Sequence, residues 1–307
     1  MRISALGITL GLGLALTVGC GDDGTGGSGG TGGTGAGGQA GGTNTGATGG
    51  GGAGGQGPTC EPPEGTAAPK NEILVDQVIG AARDETGAAI TNFDLQLCGA
   101  NGCLYASTNA IGQATFNNNL STDMIDRPLF KPGDSLVLGK IGYLYDETKP
   151  SPLPGIFPRM IDSQAQMVPG ESATAGDVTL DVGADTIVVV DDLIYDEPAK
   201  QTFRAATVPV DLVDDVTGDP DFVMVASLGP EDTIFCPGAT VSIDNYAGLT
   251  AGAAVEFWGQ TLTVGEEFGP YGGWVKLADG AVSADGSTVS TTGTGLPVLV
   301  TVAIKLK

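Results

Sequence analysis

Asp177-Val-Thr-Leu-Asp-Val182 and Ala239-Thr-Val-Ser-Ile243 alternate apolar and polar side chains residue by residue. Successive side chains of a strand point to opposite faces, so each stretch predicts a half-buried strand, with Val178, Leu180 and Val182, or Ala239, Val241 and Ile243, turned inward. From Asn71 onward the same signal recurs in short segments rich in Val, Ile, Thr and aromatics. Turn residues separate them at Asp84-Glu-Thr-Gly87, Asn101-Gly102, Pro132-Gly-Asp134, Asp279-Gly280 and Asp285-Gly286. No stretch sustains an apolar period of about 3.6 residues long enough for a substantial helix. Many short strands with regular turn signals predict an all-β chain, and the roughly 250 residues involved suit two domains. The expectation is two Ig-like or transthyretin-like β-sandwiches, residues 71–182 and 183–307.

The chain ahead of them has a different character. Residues 58–70 carry Pro58, Pro62, Pro63 and Pro69 and form a stiff lead-in. Residues 20–57 are mostly Gly, Thr and Ala, a composition that cannot offset its ordering entropy and predicts a flexible tether. Residues 1–19 hold one cation, Arg2, followed by the short apolar run Ile3 to Val18, which reads as a secretory signal peptide. A transmembrane helix needs about 20 predominantly apolar residues, and this run is shorter and interrupted by Gly, Ser and Thr. An uncleaved anchor and ordinary secretory cleavage are the alternatives.

Composition excludes several functions. With 36 acids against 13 Lys and Arg the net charge is −23, which repels nucleic acid and anionic head groups. There is no histidine, so Ser-His-Asp and Cys-His catalysis and the commonest metal ligand are ruled out. Besides Cys20 there are four cysteines, Cys60, Cys98, Cys103 and Cys236. Export favours disulfides over zinc. Cys98 and Cys103 flank the turn Gly99-Ala-Asn-Gly102, so a bridge there would staple a hairpin tip and leave Cys60 for Cys236; other pairings remain open.

Three stretches resemble known families. Leu16-Thr-Val-Gly-Cys20 resembles the lipobox of bacterial lipoproteins, although Thr17 stands where the family usually has Leu. The resemblance implies cleavage before Cys20, a diacylglyceryl group on its thiol, palmitate-like acyl chains and, because Gly21 rather than Asp follows, an outer-membrane destination. Val78-Ile-Gly80, Asp84-Glu-Thr-Gly87, Ile90-Thr-Asn-Phe-Asp-Leu-Gln-Leu97 and Thr108-Asn-Ala-Ile-Gly112 followed by Gln113-Ala-Thr-Phe116 resemble the carboxypeptidase regulatory-like (transthyretin-related) domain. Asn109 replaces that family's usual Asp, and the family implies an accessory module without peptidase activity. Leu228-Gly-Pro-Glu-Asp-Thr-Ile-Phe235 with Pro237-Gly-Ala-Thr-Val-Ser-Ile243 is similar to the β-sandwich domain of ankyrins and netrin receptors. Asn245 to Gly252, Val255-Glu-Phe-Trp258 and Trp274 to Gly286 resemble segments of bacterial extracellular repeats.

Candidate sites are few. Asp191, Asp192, Asp196, Glu197 and Asp211 lead into Asp214-Asp-Val-Thr-Gly-Asp219-Pro-Asp221, and Asp214, Asp215, Asp219 and Asp221 could supply hard oxygens to calcium, or form a solvated acidic loop. Phe257, Trp258, Tyr271 and Trp274 could make a platform for sugar rings. Phe257 and Trp258 are adjacent in a strand, however, so at least one must point away from its core. Pro150 to Pro158 reads as a long insertion or an interaction loop. Asp191 with Glu197 is the carboxylate pair a hydrolase would need.

These readings converge on a non-enzymatic, exported lipoprotein held in the outer membrane through Cys20. It would present β-sandwiches for adhesion, interaction with an unknown protein or glycan, or envelope organisation, with no cofactor. A calcium-dependent carbohydrate- or protein-binding module and a divergent carboxylate-based hydrolase are the alternatives.

Overall fold

The structure, a computed structural model, describes residues 72–118, 124–133, 136–262 and 268–307. The expected signal peptide, tether and lead-in, together with Cys20 and Cys60, lie outside the described residues. The described chain is all-β, with one short helix, and falls within one compact unit.

Its first part holds β1 (Glu72–Ile73), β2 (Gln77–Arg83), β3 (Asp94–Gly99), β4 (Gly102–Ser107), β5 (Gln113–Asn117), β6 (Ile125–Asp126), β7 (Leu129–Pro132), β8 (Tyr143–Leu144) and β9 (Leu153–Ile156). Two sheets, β5-β2-β9 and β4-β3-β7-β8, enclose a core, and β1 pairs with β6 beside them. Alternation decides which side chains enter. Val78 and Ala82 of β2 and Ala114 and Phe116 of β5 meet Leu95 and Leu97 of β3. Phe130 of β7 is the central piece, with ring centroids 5.9 Å from Phe116 and 5.3 Å from Phe157. Gly80 and Gly155 admit it, since a Cβ at either would come 2.6 Å from the Phe130 ring. β9 pairs parallel with β2, and Phe157 just beyond it is fully buried. The stretch 150–158 therefore contains the edge strand β9, with Leu153 and Phe157 buried, where a long insertion was expected: a run interrupted by prolines reads as a loop, yet proline is tolerated on an edge strand. The Tyr143 hydroxyl ties β8 to β9, donating to the Ile156 carbonyl at 2.7 Å and accepting from its N–H at 2.8 Å.

The second part continues with β10 (Ile161–Gln166), β11 (Ser172–Ala175), β12 (Val178–Asp181), β13 (Ile187–Val189), β14 (Thr202–Val208), α1 (Val213–Thr217) and β15 (Phe222–Gly229). It ends with β16 (Ile234–Asp244), β17 (Ala254–Gln260), β18 (Trp274–Val282), β19 (Thr288–Thr291), β20 (Leu296–Val298) and β21 (Val302–Leu306). All twelve strands join one sheet in the order β10-β14-β15-β21-β17-β18-β19-β16-β12-β11, with β13 and β20 also on β16. The sheet curls until β11 comes back against β10 and β14, so it is nearly a barrel. The strands predicted from alternation, β12 and β16, pair side by side with Leu180 opposite Val241. Their inward faces join Phe257, Val289 and Ile304 in its core. Because β10 to β12 belong to this large sheet, the expected boundary at 182/183 falls inside it.

The turn at Asp84 shows how a loop is held. Its carboxylate accepts from the Thr86 hydroxyl at 2.6 Å and from the Thr86 and Ala88 N–H groups, each at 3.0 Å, and Arg159 lies 3.3 Å away. Burial acts to raise the Asp84 pKa, but these hydrogen bonds outweigh it and hold the group below its ordinary value of 3.8. A depressed carboxylate stabilises the fold above its unfolded pKa and loses that contribution as pH falls through the folded value. Asp84→Asn should therefore lose less stability than the wild type between neutral pH and the carboxylate range, as urea titrations at several pH values will show. Phe130→Ala should cost about 3–5 kcal/mol in the same assay, because it leaves a cavity between the rings of Phe116, Tyr143 and Phe157.

Candidate functional site

The part of the molecule richest in built polar structure is the seam where the paired sheets meet the outer face of the large sheet. Residues 138–142, Leu-Gly-Lys-Ile-Gly, leave β7 and run along it. Two glycines set the approach: a Cβ on Gly139 would come 2.6 Å from the Ser227 hydroxyl, and one on Gly142 would come 2.6 Å from Leu262. Their absence lets the backbone be bonded directly. The Gly142 N–H donates to the Gln260 side-chain oxygen at 2.9 Å, and the Gln260 amide donates back to the Gly142 carbonyl at 2.8 Å. The Thr301 hydroxyl donates to the Lys140 carbonyl at 2.8 Å and lies 2.5 Å from the Ser227 hydroxyl.

Beside this polar run sits an apolar plug of Leu129, Leu262 and Tyr271. The buried Tyr271 hydroxyl donates to the Cys98 carbonyl at 2.9 Å. Burial pushes its pKa up, Lys140 opposes the shift and Glu231 adds to it, so the phenol remains a protonated donor. The Lys131 ammonium lies 5.8 Å from the centre of that ring and donates to the Leu262 carbonyl at 3.3 Å.

An open groove of about 400 Å³ follows the seam. Tyr143, Lys149, Pro150 and Pro154 line one wall, and Asp215, Thr217 and Trp274 the other. Trp274 rests against Phe222 at 5.4 Å, and Phe222 against Trp258 at 6.1 Å, so the rings form a row over the outer face of the sheet. The groove offers a partner aromatic and proline surface with one carboxylate and one ammonium group.

The residues singled out from sequence disperse. Phe257 is fully buried inside the large sheet, while its neighbour Trp258 faces outward into the seam, the opposition that adjacent strand positions require. Tyr271 is core; only Trp274 of the four lines the groove. Asp214 and Asp215 lie in the first turn of α1, Asp219 accepts from the Asp221 N–H at 2.9 Å, and Asp221 pairs with Lys305 at 2.6 Å. The Asp191 carboxylate accepts from the Leu193 N–H at 2.9 Å, and Asp196 and Glu197 both face Lys200. Among the described residues no group of three or more His, Cys, Asp or Glu side chains is placed to hold a metal ion. Cys98 and Cys103, directly opposite in β3 and β4, form a disulfide. Cys236 is disulfide-bonded as well; its expected partner, Cys60, lies outside the described residues. Sequence reading passed over residues 138–142 and Gln260; the one available signal was a pair of glycines bracketing Lys140 within an apolar run.

No protein-family model matches the chain, and no curated protein or solved structure is significantly similar to it.

Gln260→Leu should destabilise by about 2–6 kcal/mol, because it strands a buried N–H and a buried carbonyl that each cost about 1–3 kcal/mol unpaired. Urea unfolding followed by tryptophan fluorescence measures this, with Trp258 and Trp274 as seam reporters.

Proposed function

We propose that this chain is a non-enzymatic envelope lipoprotein that displays β modules, two sandwich-derived units on a glycine tether, for adhesion or interaction at the cell surface. The observation that carries the reading is the order of parts: a short apolar signal, Gly19-Cys20, a Gly-rich tether and then an all-β unit. An acyl chain gains about 0.8 kcal/mol per buried CH₂, so two or more chains hold a protein stably at a bilayer. The tether would have a root-mean-square span of roughly 30 Å, enough to lift the folded unit clear of the lipid surface.

The groove along the seam supports an interaction role over an enzymatic one. Its lining combines aromatic, proline and aliphatic side chains, among them Tyr143, Trp274, Pro150, Pro154 and Leu144, with Asp215 and Lys149 as its charged groups. The net charge of −23 directs such a surface toward neutral or basic partners, protein or glycan, and away from polyanions.

The test is fractionation of cells producing the full chain, with mass analysis of its N-terminal peptide. The wild type should sediment with the outer membrane and start at an acylated Cys20; Cys20→Ser should leave the membrane fraction. A wild-type chain recovered soluble, or one still carrying Arg2, overturns the anchor and with it the display role.

A further inference from the structure

Lys140 and Glu231 stand apart from the other ion pairs. The ammonium and Glu231 Oε2 are 2.5 Å apart, and the two side chains are only 14% and 5% exposed. Every other ion pair among the described residues leaves at least one partner more open to water. Among the described residues neither Glu231 oxygen receives a hydrogen bond. A buried charge pair is favourable only when its remaining lone pairs are satisfied; otherwise desolvation outweighs the attraction. The pair is close and shielded from water, and its carboxylate side is the one without hydrogen-bond donors among the described residues.

It is also rigidly positioned from both sides. The Lys140 carbonyl is held by Thr301, and the adjacent Gly139 N–H donates to the Pro158 carbonyl at 2.7 Å. On the other side Asp232 N–H donates to the Leu299 carbonyl at 2.8 Å, and the Thr233 hydroxyl to the Pro230 carbonyl at 2.9 Å. Such fixation supplies most of what an intramolecular reaction needs, since Oε2, one bond away from Cδ, already touches the amine nitrogen.

We propose that Lys140 and Glu231 form a covalent cross-link: an amide between Lys140 Nζ and Glu231 Cδ that joins the loop after β7 to the turn between β15 and β16. The reaction needs no external reagent. A proton crosses from the ammonium to Oε2, giving amine and carboxylic acid. The nitrogen lone pair attacks Cδ, the C–N bond forms, a second nitrogen proton passes to the hydroxyl oxygen, and the C–O bond breaks with loss of one water. Two buried charges are replaced by a neutral amide, and the paired sheets become covalently continuous with the large sheet.

Tryptic mapping of the full-length, reduced and denatured protein decides the matter. The unlinked chain is cut after Lys140 into peptides 84–140 and 141–159, and separately yields 205–276. The cross-linked chain resists that cut and yields 84–159 joined to 205–276, lighter by one water than their sum. The cross-linked species is expected in the wild type and not in Lys140→Arg, which keeps the positive charge but cannot form this amide. Free peptides 84–140 and 205–276 from the wild type as the main products overturn the proposal, and that result stands whether or not the variant folds.

Discussion

The two hydrogen bonds exchanged between the Gln260 amide and the Gly142 backbone are the contact on which the arrangement of the described chain depends. A side-chain amide carries a donor and an acceptor spaced like those of a peptide group, so Gln260 behaves as one more ladder position at the end of β17. The exchange is possible only because 139 and 142 lack a Cβ; any side chain there would collide with Ser227 or Leu262. Everything else on the seam inherits that spacing. The Tyr271 hydroxyl reaches the Cys98 carbonyl, and Leu129 meets Leu262, only if the loop lies this close. A seam made of directional bonds specifies one orientation, whereas an apolar face alone would tolerate sliding.

Much of the fold was legible because period-two alternation is a local property. β12 and β16 could be drawn from Asp177–Val182 and Ala239–Ile243 with the right faces inward, and the opposition of Phe257 and Trp258 follows from adjacency alone. Pairing partners are not local. The pattern of β10 to β12 says strand but carries no information about which sheet receives them, so a boundary drawn from length and a family likeness fell within the large sheet. The same gap hid β9, whose prolines signal a loop unless the edge it occupies is known. α1 spans five residues, too few to establish a helical period.

The site was less legible than the fold, for a related reason. The sequence draws attention to concentrations of one residue type, and here acids and aromatics are concentrated without converging. Asp221, Asp196 and Asp279 are each paired with a lysine, as expected of a chain in which 36 acids share 13 cations. The seam is built instead from single residues far apart in the chain, Gly142 with Gln260, Lys140 with Thr301 and Glu231, Cys98 with Tyr271, none unusual in its own neighbourhood.

Scarcity of cations also bears on why Lys140 is buried at all. Surface pairs such as Lys305 with Asp221 contribute about 0–1 kcal/mol and are weakened by salt. A chain with 13 cations and 36 acids gains solubility by keeping its lysines on the surface, where each screens neighbouring carboxylates. Withdrawing Lys140 into the seam gives up that screening and incurs desolvation, so an ordinary ion pair is a poor explanation for its position. A lysine placed there is better understood by what its neutral amine can do beside a carboxyl group. A covalent seam would carry load that hydrogen bonds, each worth about 1 kcal/mol net, would release one at a time.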